Sequence, residues 1–104
     1  MKLIVITAVK AFEKDIKSLL IKSKIPQFSY QNVIGYRDAT LDAVGNNWFG
    51  AEMNEAESIL FYAFVPVPQV DVLLDEVKAY NAQQEAKSKV HLSVLNIEKT
   101  SDHD

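Results

Sequence analysis

The stretch ESILFYAFV, residues 57–65, decides the fold of this chain. One alternating set of its side chains is Ile59, Phe61, Ala63 and Val65, and the other is Leu60, Tyr62 and Phe64. Because neighbouring side chains of a strand point to opposite faces, this pattern indicates a strand that is apolar on both faces. A proline follows at position 68, where it favours the first turn of a helix.

The remaining chain alternates between strand and helix patterns. We expect further strands at Lys2 to Ala8, Phe28 to Gly35 and Ser88 to Ile97, and helices at Ala11 to Ser23 and Pro68 to Gln84. The resulting order, β-α-β-β-α-β, predicts an α+β fold of the ferredoxin-like type with a long loop between its second and third strands.

The length of the chain predicts the number of domains. With 104 residues, the chain has the size of one domain. We assign that domain to residues 1–99 and expect a polar, frayed tail at residues 100–104.

The two helices each carry one apolar stripe. The first stripe comprises Phe12, Ile16, Leu19 and Leu20, and the second comprises Val70, Leu73, Leu74, Val77 and Tyr80. Two helices cover only one face of a four-stranded sheet, yet the strands at residues 2–8 and 57–65 are apolar on both. Either the long loop or another subunit must therefore cover the other face, and a homo-oligomer is the simpler solution.

The segment from Tyr36 to Ala56, YRDATLDAVGNNWFGAEMNEA, is too long for an ordinary hairpin connection. Such loops in small domains are usually functional or disordered. Trp48 and Phe49 stand inside its sequence GNNWFG. Aromatic side chains on a loop are typical anchors for a protein partner, and an equally good alternative is a hydrophobic plug that pins the loop to the body.

Composition excludes several classes of function. The absence of cysteine rules out disulfides and thiolate metal sites and fits a cytoplasmic location. A net charge of −3 gives no general attraction to nucleic acid. No apolar run approaches the ~20 residues that span a bilayer, so we expect no membrane insertion.

Several strings resemble the PII signalling family over nearly the whole chain. The residues from Val9 to Phe12, VKAF, resemble the passage from that family's first strand into its first helix. Ile25 to Tyr36, IPQFSYQNVIGY, is similar to its second strand and the opening of its T-loop, the long loop between its second and third strands. Ile59 to Pro66 resembles the third strand and the Val-Pro before the second helix, and Ala82-Gln83 is similar to the end of that helix.

This resemblance implies a function and a set of ligand residues. PII proteins are homotrimers that bind ATP or ADP between subunits and use the T-loop to grip transporters, enzymes or regulators. By position, Ser29 matches a hydroxyl residue near the adenine, and Gly35, Tyr36 and Arg37 match the base of the T-loop. The B-loop and the last strand contribute cations that match the phosphate side, namely Lys87, Lys89 and Lys99.

The chain departs from the family pattern in two loops. Its B-loop reads QEAKSK, residues 84–89, and has none of the glycines that let backbone N–H groups form a phosphate nest. Lys87 and Lys89 still attract an anion there. The T-loop lacks the Arg-Gln-Lys-Gly run and the modifiable tyrosine region, so uridylylation is not expected.

The sequence contains no recognisable set of catalytic residues. His91 lies in the last strand and His103 in the tail, and neither has a second ligand at metal-binding spacing. We therefore expect no catalytic residue, no metal site and no resident cofactor, with an adenine nucleotide as the effector of a non-enzymatic regulator. The alternatives are a CutA-like metal-binding protein, a small dimeric α+β barrel enzyme and an interaction module that has lost its ligand.

Overall fold

A computed structural model describes residues 1–36, 55–84 and 88–101 of the chain. Four strands and two α-helices follow one another in the order β-α-β-β-α-β. The strands are β1 (Lys2–Val9), β2 (Ser29–Tyr36), β3 (Glu55–Val65) and β4 (His91–Asn96). The helices are α1 (Glu13–Lys22), preceded by a 3-10 turn at Lys10–Phe12, and α2 (Val67–Gln83). The predicted ferredoxin-like α+β fold is confirmed.

The sheet has the strand order β2-β3-β1-β4, and all three pairs of neighbours are antiparallel. β1 therefore lies inside the sheet, with Lys2 opposite Val65 of β3 and Asn96 of β4. The β2–β3 pair continues to Tyr36 opposite Glu55, so residues 37–54 connect two adjacent strand ends. The ends of the predicted loop, Tyr36 and residues 55–56, belong to strands.

The core lies between the two helices and one face of the sheet. The strands contribute Ile4, Ile6, Ala8, Ile59, Phe61, Ala63 and Val65, and the helices contribute Ile16, Leu20, Val70, Leu73 and Val77. Each helix buries most of the stripe that its 3.6-residue period predicts, with Phe12, Leu19 and Tyr80 packed at the edge of the core. Leu74, which was predicted to belong to the stripe of α2, is only half-buried and lies outside the core. Residues 59, 61, 63 and 65 face the helices because side chains alternate along β3.

The opposite side of the sheet is called here the open face. The side chains on this face alternate with the core residues along β1, β3 and β4. Its large apolar side chains are Leu3, Val5, Leu60, Tyr62, Phe64 and Leu95. Phe64 remains 54% exposed, and Tyr62 remains 44% exposed. The predicted two-faced character of β1 and β3 is thus present, and no described element of the chain covers the open face.

Strand β2 is largely exposed. Only Gly35 is buried, whereas Ile34 is 72% exposed and Tyr30 is 48% exposed. β2 is an edge strand, and its helix-facing side near Ile34 extends beyond the area that the helices cover.

Candidate functional site

The predicted ligand residues that the structure describes lie at separate corners of the sheet. Ser29 is at the start of β2, and Gly35 and Tyr36 are at its end. Lys89 lies two residues before β4, and Lys99 lies three residues after it. Since β2 and β4 are the two edges of the sheet, these residues occupy four different places in one chain.

Strand geometry gives the distances between these corners. The two edge strands are separated by three inter-strand spacings, about 14 Å in all. From Ser29 to Tyr36 the chain rises about 23 Å along β2 at ~3.3 Å per residue. A single chain therefore does not bring Ser29, Tyr36 and Lys89 into contact with one small ligand.

A cleft of about 310 Å³ lies where β2 begins beside β3. We call it the Ser29 cleft, and its walls are formed by Gln27, Phe28, Ser29, Tyr62, Ala63 and Phe64. Ser29 is opposite Tyr62 in the β2–β3 register, which places its hydroxyl beside two exposed aromatic rings. An amide, a hydroxyl and aromatic rings together suit a planar heterocycle, which stacks on the rings and hydrogen-bonds at its edge.

Sequence reasoning missed Gln27, Tyr62 and Phe64 as members of this cleft. Because β3 is apolar on both faces, the sequence predicted only that Tyr62 and Phe64 are covered by the long loop or by another subunit. Their proximity to Ser29 follows from the pairing register of β2 with β3, which a single sequence does not contain.

The segment before β4 is attached to the end of α2. The side-chain amide of Asn81 donates to the carbonyl of Val90 at 2.8 Å, and its oxygen accepts from the Val90 N–H at 2.8 Å. Lys89 donates its ammonium to the carbonyls of Asn81 at 3.1 Å and Gln84 at 3.3 Å. Its charge thus lies on carbonyl oxygens at the C-terminal end of the helix, where cations are stabilised.

A second polar group lies between α1 and the far end of β2. Glu13 accepts hydrogen bonds from Lys17 at 2.8 Å and from Lys10 at 3.1 Å, and Lys10 also donates to Asn32 at 2.6 Å. The hydrogen bonds from Lys17 and then Lys10 lower the pKa of Glu13, and the Glu13 hydrogen bond raises the pKa of Lys17. These lysines are therefore already occupied by protein groups.

Beside this polar group lies a smaller cavity of about 150 Å³. The cavity is lined by Lys10, Asn32, Val33, Ile34, Glu57 and Ser58. Lys17 also lies over the ring of Tyr30, 4.1 Å from its centroid, and Tyr30 stacks on buried Phe61. The group thus fixes α1 on β2 close to Gly35 and Tyr36. The role that these contacts support is structural, because the ammonium groups of Lys10 and Lys17 and the carboxylate of Glu13 all bind partners within the chain.

Four predicted site residues lie outside the described residues, namely Arg37, Trp48, Phe49 and Lys87. The expectation that residues 36–56 grip a partner falls largely on the same undescribed segment. His91 is exposed at the start of β4. Within residues 1–36, 55–84 and 88–101, no group of three or more His, Cys, Asp or Glu side chains is placed to hold a metal ion.

Structural comparison identifies the same architecture in other proteins. A DUF3240 family protein from Shewanella baltica OS155 superposes with a TM-score of 0.66 at 18% identity, covering 96% of this chain and 92% of that one. CPII from Thiomonas intermedia K12, a nitrogen regulatory PII-like protein in complex with ADP, AMP and bicarbonate, superposes with a TM-score of 0.61 at 15% identity. The match to CPII covers 95% of this chain and 93% of CPII.

The chain has a PII-like fold. Both superpositions run over nearly the full length of each chain, so the likeness includes the order of elements and the sheet topology. No family model matches the sequence, and no curated protein matches it. Among the described elements of this chain, neither α-helix is long and apolar enough to cross a membrane.

Proposed function

We propose that this chain is a non-enzymatic, cytoplasmic regulator that works as a homotrimer. Each cleft between subunits binds a small anionic ligand, an adenine nucleotide, and the loop of residues 36–56 passes the signal to a partner such as a membrane transporter. The observation that carries the proposal is the separation of Ser29, Tyr36 and Lys89 at different corners of one sheet. Residues that are far apart in one chain form a single site when neighbouring subunits supply different corners.

The open face supports the assembly. Leu3, Val5, Leu60, Tyr62, Phe64 and Leu95 form one apolar surface across three strands. A continuous surface of this kind on a soluble domain is typical of a protein interface. Packing the sheets of several subunits against one another buries it and brings the edge strands of neighbouring subunits together.

The Ser29 cleft supports the choice of an adenine nucleotide. Tyr62 and Phe64 lie on β3 next to the edge strand β2, so in the proposed assembly they stand at the rim of the interface and offer stacking surface to the cleft, and Ser29 and Gln27 offer hydrogen bonds to ring nitrogens or an amino group. CPII, which shares the fold, binds ADP and AMP. One subunit would hold the base of this ligand and the next subunit its phosphate. The affinity for the ligand would then depend on how the two subunits are arranged, as a ligand-driven switch requires.

Two measurements test this proposal. Light scattering coupled to size exclusion should return three chain masses for the purified protein. Titration calorimetry with ATP, ADP, AMP and cyclic dinucleotides should then detect binding, and Ser29→Ala should weaken it about three- to tenfold by removing one hydrogen bond. Ser18→Ala, on the exposed side of α1, is the matched control and should bind as the wild type does.

Each other outcome points to a different function. A mass of two chains would overturn the trimer and favour a dimeric α+β barrel. A trimer that carries metal by elemental analysis would favour a CutA-like protein. A trimer that binds no nucleotide would overturn the ligand and leave an interaction module.

A further inference from the structure

We infer that the smaller of the two cavities binds a small zwitterion, namely an α-amino acid with a short aliphatic side chain. We call it the Glu57 cavity, and its lining residues are Lys10, Asn32, Val33, Ile34, Glu57 and Ser58. It shares no lining residue with the Ser29 cleft. Its ligand is therefore independent of the proposed trimer and of the proposed nucleotide.

The Glu57 cavity lies on the helix-facing side of the β2–β3 pair. Ile34 is opposite Glu57 in the register, and Asn32 is opposite the core residue Ile59. Side chains two residues apart on a strand share a face and are about 6.6 Å apart. Asn32, Ile34 and Glu57 therefore lie together on one face of the sheet, and Ile34 is 72% exposed there.

The Asn32 end of the cavity presents hydrogen-bond donors. The Lys10 ammonium donates to the side-chain oxygen of Asn32 at 2.6 Å and to Glu13 at 3.1 Å. Because an ammonium group cannot accept, Asn32 must turn its oxygen toward Lys10, and no described residue accepts from its amide N–H groups. Two amide protons and the third proton of Lys10 remain for a ligand. This end suits a carboxylate, which accepts all of them.

Glu57 supplies the opposite charge at the other end. Its side chain is exposed, and no cation of the described residues lies within ion-pair distance of it. Lys10 lines the same cavity but binds Glu13 and Asn32 instead. An ionised carboxylate only accepts hydrogen bonds, and an ammonium group only donates them. The Glu57 end therefore suits the ammonium group of a ligand.

The charges around the cavity favour a ligand with no net charge. Lys10 and Lys17 contribute two positive charges, and Glu13 and Glu57 contribute two negative ones. A simple anion or cation is attracted by one end of the cavity and repelled by the other, whereas a zwitterion is attracted by both. The charge balance therefore selects a molecule that carries both an ammonium and a carboxylate group.

The volume and the apolar walls of the cavity limit the rest of the ligand. About 150 Å³ corresponds to the volume of about five water molecules at ~30 Å³ each. Val33 and Ile34 line this space with aliphatic carbon, which favours an apolar group on the ligand. An amino acid with a short aliphatic side chain meets both conditions, and an aromatic amino acid or a dipeptide is too large.

The test is an NMR titration of the ¹⁵N-labelled full chain with L-valine and two analogues. Isovalerate lacks the ammonium group of valine, and isobutylamine lacks its carboxylate. We expect valine to shift the signals of the Asn32 side-chain amide and the Ile34 backbone amide with a dissociation constant of about 1 mM, and each analogue to bind at least about fivefold more weakly. Equal binding of isobutylamine would show a cation site, and equal binding of isovalerate would show an anion site. Either result would overturn the inference, and so would no shift at about 20 mM valine.

A pair of matched variants tests the role of Glu57. Glu57→Gln should weaken valine binding at least about fivefold and leave the melting temperature unchanged, because the Glu57 carboxylate is exposed and has no partner among the described residues. Glu55→Gln is the control, since Glu55 lies two residues earlier on the same face of β3 and does not line the cavity. It should bind valine as the wild type does. Unchanged binding by Glu57→Gln, or an equal loss in both variants, would overturn the inference.

A second variant tests the carboxylate end. Asn32→Asp keeps an oxygen for the Lys10 ammonium but replaces the amide donors by a negative charge, so it should also weaken valine binding at least about fivefold. Wild-type affinity in this variant would contradict the assignment of the ligand carboxylate to Asn32. None of these results bears on nucleotide binding or on the mass of the assembly, so a failure here leaves the proposed function as it stands.

Discussion

Replacing Phe64 by aspartate tests whether the open face is the surface on which subunits assemble. Phe64 lies on β3 with 54% of its surface exposed in the single chain. Because it points away from the helices, its loss removes little from the core. The half of its surface that is already buried, roughly 90 Å², and the low strand propensity of aspartate should lower the free energy of unfolding of one chain by about 2–3 kcal/mol, which still leaves a folded chain if its stability is in the usual range of about 5–15 kcal/mol.

The expected effect on assembly is much larger. A phenylalanine offers roughly 200 Å², so the exposed half buries about 100 Å² in an interface, worth about 2.5 kcal/mol at ~25 cal/mol per Å². Over three subunits this sums to about 7.5 kcal/mol, before the penalty for burying a carboxylate. The Phe64→Asp protein should therefore be a folded monomer at concentrations where the wild type is a trimer.

Light scattering over a dilution series measures the mass, and circular dichroism measures the folding of the same samples. Val72→Asp is the control, because Val72 is 47% exposed on α2, on the opposite side of the molecule. It introduces the same charge and should leave the trimer intact. A Phe64→Asp trimer that dissociates no more readily than the wild type would refute the assignment of the open face, and so would equal dissociation of both variants.

Three further predictions concern the chain itself. Phe61→Asp places a charge at a position with no exposed surface and should abolish cooperative unfolding; a cooperative thermal transition would contradict this. Asn81→Ala removes both hydrogen bonds to Val90 and should lower the free energy of unfolding in urea by about 1–3 kcal/mol, whereas no change would mean that β4 holds its position without them. Since the pKa of Glu13 is lowered on folding, its stabilisation is present above the ordinary value of 4.5 and is lost as the pH falls through the folded value. Urea unfolding at several pH values should therefore show Glu13→Gln less stable than the wild type at pH 7 and equal to it at low pH; a constant difference would refute the pairing.

The sequence predicts the layers of this fold well because burial follows the period of each element. Ile59, Phe61 and Val65 alternate on one side of β3, and the structure buries all three. The predicted ends of the elements differ from the observed ends by a few residues. The start of the first predicted helix is a 3-10 turn at Lys10–Phe12, and β4 spans only His91–Asn96. These shifts are local choices of backbone hydrogen bonding that a hydrophobic period does not determine.

The candidate site was harder to predict because it depends on register and on long-range contacts. Ser29 was selected by resemblance, yet its neighbours Tyr62 and Phe64 belong to a strand far along the chain. Lys89 was predicted to face an anion, which stays a prediction, and the structure adds that its ammonium donates to the carbonyls of Asn81 and Gln84, which compete for it. No local pattern reveals that competition, because it depends on where α2 ends relative to β4.

Tyr62 and Phe64 belong both to the Ser29 cleft and to the open face, so in the proposed function ligand binding and assembly share side chains. A ligand that contacts residues from two subunits binds the assembled state better than the separate chains, and it must stabilise the assembly by the same free energy. At a hundred times its dissociation constant, this stabilisation is about 2.7 kcal/mol per site. We therefore expect AMP to raise the trimeric fraction of a dilute, partly dissociated sample in analytical ultracentrifugation. An unchanged distribution at saturating AMP would mean that the ligand contacts one subunit only, and Ser29 and Lys89 would then belong to separate sites.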